Sequence, residues 1–270
     1  MTRRFQGLPG ISSQDELRAH VLAKGCFDAA ENERIYKKWF TRARPRDHLW
    51  AYLDQRFGIT EGTVCDVGCA YGMTLVDCPP GSYGIELEEY QCKFGRSIGL
   101  HILQKDVIHD SWADVPKVDT LWCAATLEHV DAPHVFLRRL YYLLKPGGRL
   151  ILEVPHAMPA SWMRHVRPLR YLYSDHDDHI NSFSATALER MCERAGFARQ
   201  ASIRYSTPLV GRQVPVWLTG LPLVRTLAES QVYVGHAVPD WEYPKKATRR
   251  AADNPNGYTW RSMFGDREGE

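Results

Sequence analysis

No run of about 18 apolar residues occurs in this 270-residue chain, so no membrane-spanning helix is expected. The most apolar late stretch, 214–224, is short and broken by Gly220 and Pro222. The chain also lacks any Cys-x-x-Cys pair, and its seven cysteines are an odd number, with Cys65, Cys69 and Cys123 in apolar, strand-like segments. Neither a disulfide framework nor a structural zinc site is expected, and a reduced, cytoplasmic chain is the simplest reading. Charge of one sign is missing too: a formal net charge of +2 excludes a dominant positive field, so no nucleic-acid partner is expected. The basic start, Met-Thr-Arg-Arg-Phe-Gln, is followed by no apolar run, so no secretory signal is expected. There is no internal repeat. Hydrophobic residues make up 44%, which excludes global disorder and suits one α/β domain with appendages.

Against these absences, residues 64–72 stand out: Val-Cys-Asp-Val-Gly-Cys-Ala-Tyr-Gly. A short apolar strand carries Asp66 near its end, and a turn of small residues follows at Gly68, Ala70 and Gly72, where a ligand can press against the backbone. Twenty positions after Asp66, Glu86 ends a second strand in Gly84-Ile85-Glu86, where a doubly wound fold places the acid that binds ribose hydroxyls. A glycine-rich turn by itself is equally an ordinary tight βα turn. The pattern is Gly-x-Ala-x-Gly preceded by an acid, which would repel a pyrophosphate but not a cationic nucleoside that bears an amino acid.

At these residues the chain resembles the class I S-adenosylmethionine-dependent methyltransferases, from about Gly62 to about Phe197. Asp66, Gly68, Ala70 and Gly72 match the first cofactor loop, Glu86 the ribose acid, and Asp106 the residue that meets the adenine amino group. The segment 118–130 resembles the fourth strand with its Leu-Glu-His sequel, and 144–155 the following turn and fifth strand. The stretch His179-Ile-Asn-Ser-Phe-Ser184 resembles a subgroup that includes ubiquinone-type, sugar and natural-product O-methyltransferases. The resemblance implies a Rossmann-like α/β fold with a doubly wound, seven-stranded, mostly parallel sheet whose last strand is antiparallel. It implies S-adenosyl-L-methionine as cofactor, bound by Asp66, Gly68, Ala70, Tyr71, Gly72, Glu86, Leu87, Asp106, Val107 and Ala124, and a small-molecule or saccharide acceptor.

Ala70 departs from the usual glycine and is tolerated if its φ stays negative. The first helix is expected to be short, ended by Pro79-Pro80. Residues 1–57 are read as a helical cap, with 1–12 irregular, a helix from the Ser13–Glu16 capping box to Gly25, and a second helical region over 31–57. Residues 58–239 form the core, with a helix over 132–145, another capped by Ser184, strands near 198–206 and 231–237, and an insertion near 208–229. Residues 240–270 are read as a polar tail anchored by Trp241, Tyr243, Tyr258 and Trp260.

Three histidines are the candidate catalytic groups. His129 follows the fourth strand at the carboxyl edge, where it is either a base or, with Glu128, a shaper of the cofactor loop. His156 follows the fifth strand on the same edge. His179 is the best base candidate, at the end of the run 175–179 (Asp-His-Asp-Asp-His), which could hold magnesium, supply a base, or be an ordinary polar loop. No metal ligand is assigned. An aromatic, basic stretch, 161–173, is a lid or simply packs on the body. Lys37, Lys38, Arg42, Arg44 and Arg46 grip phosphate or are a solvated helix face. Two rivals share the motifs: the same cofactor with an RNA or protein-tethered acceptor, and a non-catalytic binding module.

Overall fold

The computed structural model describes residues 5–41, 45–155, 179–205, 208–209, 212–213 and 230–241. His156, the 161–173 stretch, residues 175–178, most of the 208–229 insertion and Tyr243, Tyr258 and Trp260 lie outside the described residues.

Nine strands are described: β1 (Val64–Val67), β2 (Tyr83–Glu86), β3 (Ile102–Gln104), β4 (Val118–Ala124), β5 (Leu144–Pro155), β6 (Phe197–Tyr205), β7 (Pro208–Leu209), β8 (Arg212–Gln213) and β9 (Ser230–Ala237). Seven of them form one sheet in the order β3-β2-β1-β4-β5-β9-β6, and β7 and β8 form a separate small hairpin. The first five run parallel, and β9 lies antiparallel between β5 and β6. The doubly wound, mostly parallel sheet is as expected. The described helices are α1 (Gln14–Lys24), α2 (Ala29–Ile35), α3 (Pro45–Phe57), α4 (Glu89–Ser97), α5 (Pro133–Tyr141) and α6 (Ala185–Arg194).

Alternate strand residues face opposite sides, so each strand feeds two cores. Val64, Trp122, Ala124, Ile151, Val232 and Val234 pack with Leu17, Val21, Ile35, Phe40, Leu49, Leu53 and Phe94, from α1–α4 and the turn after α2. Cys65, Val67, Leu121, Cys123, Leu150, Leu152 and Tyr233 pack with Phe136, Leu137 and Leu140 of α5 and Leu188 and Cys192 of α6. The N-terminal cap is thus continuous with one face of the sheet.

Local chemistry sets the helix ends. Ser13 Oγ accepts the Glu16 amide at 3.2 Å, as a capping residue does, while the Glu16 carboxylate reaches back to the Ser12 amide at 2.7 Å. The helical region expected over 31–57 is interrupted: α2 runs into a π-helical turn at Tyr36–Phe40, and the backbone turns extended at Thr41 before α3 begins. In place of the expected short first helix there is only a 3-10 turn, Thr74–Asp77. Gly72, with φ +82°, and Pro79-Pro80 leave too few residues between them for regular α-helix. The 132–145 helix ends at Tyr141, and Leu144 instead opens β5 and pairs with Val118. At the start of the tail, Trp241 packs against Tyr141 with ring centroids 5.7 Å apart, and the Tyr141 hydroxyl donates to the Val238 carbonyl at 2.6 Å.

The turn between α1 and α2 is held by one buried amide. Asn32 Nδ2 donates to the Gly25 and Phe27 carbonyls, both at 3.1 Å, and its Oδ1 accepts the Phe27 amide at 3.3 Å. Asn32→Ala removes all three bonds and strands their backbone partners, so a loss of about 2–3 kcal/mol is expected, read as a lower urea midpoint at unchanged slope.

Candidate active site

The turn after β1 is hung between two strands. The amides of Gly68 and Cys69 both donate to the Ile85 carbonyl of β2, at 2.8 and 3.2 Å. Gly68 has φ +72°, and a Cβ placed there would lie 2.2 Å from Thr126 Oγ1, so neither the backbone nor the space admits a side chain. Thr126 Oγ1 in turn lies 3.2 Å from the Val67 carbonyl, joining the carboxyl ends of β1 and β4.

Ala70 corrects the expectation from sequence. Its φ is +49°, in the left-handed region, not negative. The Glu86 side chain holds it there: Glu86 Oε2 accepts the Ala70 amide at 2.8 Å, while Oε1 accepts the amides of Leu87 and Glu88 at 2.8 and 3.1 Å. A charged acceptor on that amide offsets the roughly 1–2 kcal/mol that an L-residue loses in this conformation.

Strand register places Asp66 beside Gly84 and Trp122, and Ala124 beside Glu153 and, across β5, Val232. Asp66, Glu86, Ala124 and Glu153 thus share the sheet face that the N-terminal helices cover, all toward the carboxyl end. Asp66 and Glu153 are buried. Glu153 was not singled out in the sequence, although a lone carboxylate inside Leu-Ile-Leu-Glu-Val was the available signal.

Leu87 is 60% exposed just past Glu86, while Val107 is buried. Asp106 opens the turn after β3: its Oδ1 accepts the Ile108 amide at 2.7 Å and its Oδ2 lies 2.9 Å from His109 Nδ1. Burial works to raise the Asp106 carboxyl pKa, but the His109 ring and the backbone amides outweigh it and hold the group below its ordinary value. Tyr71 does not project into open space. Its ring packs with Trp39, Tyr90 and Phe94 at centroid distances of 5.4, 6.2 and 5.5 Å. Phe27 stacks on Tyr90 at 4.2 Å, and the Tyr90 hydroxyl donates to Glu31, whose carboxylate also accepts Arg34 Nε at 2.6 Å. Together the Arg34 and Tyr90 hydrogen bonds lower the Glu31 pKa to about 2.

One turn past Thr126, a second group of residues converges. Glu128, only 1% exposed, lies with its Oε1 4.0 Å from Nε2 of both His129 and His179. The imidazoles meet edge to face with centroids 4.9 Å apart. The segment carrying His179 is clamped to this turn by Asn181, whose amide donates to the Glu128 carbonyl at 2.9 Å and whose Nδ2 donates to the Val130 carbonyl at 2.6 Å. Farther along, Gln231 Nε2 holds the Phe183 carbonyl at 2.7 Å and its Oε1 accepts Arg204. The structure thus joins His129 to His179, and it makes Glu128, read from sequence only as shaping the loop, the centre of the group.

Two other features are quieter. Lys37 of the basic cluster pairs with Glu33 at 3.1 Å and Lys38 sits over the Trp39 ring at 5.2 Å, while Arg42, Arg44 and the Arg46 side chain lie outside the described residues. All seven cysteines are free thiols, and burial pushes those of Cys65, Cys69 and Cys123 well up, so they are poor nucleophiles.

Comparison with known proteins agrees with this geometry. A family model described as a methyltransferase domain matches residues 36–201, more than half the chain. A ubiquinone biosynthesis O-methyltransferase of Xanthomonas euvesicatoria is 29% identical over 157 residues, 51% of this chain and 64% of that protein, so the chain spans a little under two thirds of this curated relative. Among solved structures, an S-adenosylmethionine-dependent methyltransferase of Archaeoglobus fulgidus superposes with a TM-score of 0.53 at 16% identity, covering 75% of this chain and 98% of that one. A magnesium protoporphyrin IX methyltransferase of Synechocystis with bound S-adenosylhomocysteine gives 0.50 at 13% identity, covering 83% and 99%. The fold and its carboxyl-edge turn define an α/β methyltransferase. The chain belongs to the class I S-adenosylmethionine-dependent methyltransferase family, and S-adenosylmethionine is its cofactor.

Two measurements check the site's mechanics. Gly68→Ala is expected to cost about 1–3 kcal/mol in denaturant unfolding, whereas Ala70→Gly should be neutral or stabilising by up to about 1 kcal/mol, because glycine removes the left-handed strain. The Glu31 latch has a definite sign. Its carboxyl pKa falls from 4.5 to about 2 on folding, so its stabilisation is complete above pH 4.5 and lost as pH drops toward 2. In Glu31→Gln the unfolding midpoint should fall less steeply with pH across that window.

Proposed function

We propose that this enzyme methylates an oxygen of a small-molecule or saccharide acceptor, and that the Glu128–His129–His179 group is where the acceptor hydroxyl is activated. The observation that carries this reading is the convergence of two imidazoles on one buried carboxylate, a turn away from the Gly68–Thr126 contact. An amine acceptor needs only to be neutral, but an alkyl or sugar hydroxyl needs a group that handles its proton or its developing charge. The name of the Xanthomonas relative, an O-methyltransferase, supports oxygen as the target.

The residues near the turn fit the cofactor. When bound, S-adenosylmethionine supplies a methyl group on a positively charged sulfur, already electrophilic. Buried Asp66 provides negative charge on the face that such a cation would meet, and the small residues from Gly68 to Gly72 allow close approach to the backbone. Glu86 Oε2 accepts one amide and has a further lone pair for a ribose hydroxyl. Leu87 and Val107 offer apolar surface and Asp106 an acceptor for the adenine end, while Ala124 keeps the end of β4 small. Tyr71 serves by packing the turn against the cap rather than by direct contact. His179 and His129 take the acceptor side, with Glu128 orienting both rings.

Calorimetry with S-adenosylhomocysteine tests the pocket. Asp66→Ala and Glu86→Ala should each weaken binding about 10-fold or more, the scale of a lost charged hydrogen bond. His179→Ala should leave that affinity intact and lower kcat by about 10²–10⁴ on a hydroxyl acceptor found in a panel of nucleotide sugars and phenols. Amines and RNA are assayed beside that panel, and transfer confined to them would remove the reading.

A further inference from the structure

We propose that Glu128, His129 and His179 form a binding site for a divalent transition-metal cation of the zinc type. This deepens the reading above, on which its role in catalysis rests. Each residue offers one ligand atom, and the three atoms lie within 4.8 Å of one another. Zinc holds ligands at about 2.0–2.1 Å, which sets tetrahedral neighbours about 3.3 Å apart. Each Glu128–histidine pair, at 4.0 Å, is therefore wider than a loaded site by somewhat under about 1 Å. Closing both pairs asks for side-chain shifts of that size, and His129, with 37% of its side chain exposed, is the less enclosed of the two imidazoles.

The donor set chooses the metal. Two imidazole nitrogens and one carboxylate oxygen suit zinc and its first-row neighbours, whereas magnesium and calcium favour oxygen ligands throughout. Methyl transfer is redox-neutral, so nothing in the reaction demands a redox-active ion.

Burial and bonding favour the same assignment. A carboxylate that is 1% exposed lies out of bulk water, where its attraction to a dication is little screened. The ligands are also held by a supporting set of bonds, as metal sites require. Asn181 fastens the His179 segment to the turn that carries Glu128 and His129, and Gln231, itself bonded to Arg204, fixes the far end of that segment at Phe183. Three protein ligands leave coordination positions open. A water or an acceptor hydroxyl takes one of them, and an oxygen bound there bears negative charge at lower cost. The cation thereby gives the site a preference for oxygen acceptors, most of all those with a second oxygen close enough to chelate.

Cobalt(II), which takes the place of zinc and absorbs in the visible, is the probe. Chelator-treated full-length protein is titrated with cobalt(II) and then competed with zinc, and each sample is also titrated with S-adenosylhomocysteine. We expect ligand-field bands that saturate at one cation per chain and are displaced by zinc. His129→Ala and His179→Ala should each weaken cobalt binding about 100-fold while retaining S-adenosylhomocysteine affinity, which also shows that they are folded. His129 is the safer variant, being partly exposed, and Glu128→Gln is the third. Wild-type protein that binds S-adenosylhomocysteine but shows no saturable cobalt or zinc binding would overturn the proposal, as would cobalt binding that both histidine variants leave unchanged. Failure of S-adenosylhomocysteine to bind, with the cobalt spectrum intact, would count against the cofactor pocket and leave the metal site standing.

Discussion

The carboxylate of Glu86 fastens the end of β2 to the turn that leaves β1, and the geometry of the carboxyl edge depends on it. One oxygen takes the Ala70 amide and the other takes the amides of Leu87 and Glu88. A single side chain so satisfies three donors that would otherwise compete for water at the mouth of the sheet. With Gly68 and Cys69 both bonded to the Ile85 carbonyl, the turn has little freedom left. Thr126 can then close on Gly68, and that contact sets where the chain after β4 must go. Glu128 and His129 follow within three residues.

The N-terminal cap is held to this edge by aromatic packing more than by charge. Trp39 meets Tyr71, Phe27 stacks on Tyr90, and Phe94 lies among them. Such rings bury large apolar areas and also constrain orientation. The Arg34–Glu31–Tyr90 hydrogen bonds rest on the outer side of that packing, where exposed ion pairs add little by themselves. The cap shares its core with one sheet face, and through Trp39 it packs directly on the turn at Tyr71.

The opposite sheet face is mostly apolar packing of α5 and α6, and of the candidate cofactor residues it takes in Val107, whose carbonyl accepts Arg139 Nε of α5 at 3.0 Å. The contrast has a physical basis. In a parallel sheet both faces are covered, so a buried acid has to earn its place through specific partners. Asp66, Glu128 and Glu153 are all buried at the carboxyl end of the strands, where neighbouring loops diverge and a ligand can enter.

Much of this was legible in the chain itself. Apolar strand segments alternating with helical ones, the acid-then-small-residue turn at 66–72 and the Glu86 spacing point to a parallel α/β sheet and its candidate ligand edge, because these are local patterns read within one strand and its turn. The Ser13 cap is equally local. What sequence could not supply is whatever depends on a partner distant along the chain. Ala70 is left-handed because Glu86, sixteen residues away, holds its amide, and no neighbouring residue announces it. His179 stands beside His129 and Glu128, some fifty positions apart in sequence, because Asn181 and Gln231 bind that segment across the sheet edge. Local spacing determined the α/β sheet and its acid-and-glycine edge. Only tertiary hydrogen bonds, which recruit residues without regard to their distance in sequence, decided the backbone of the turn and the membership of the histidine–carboxylate site.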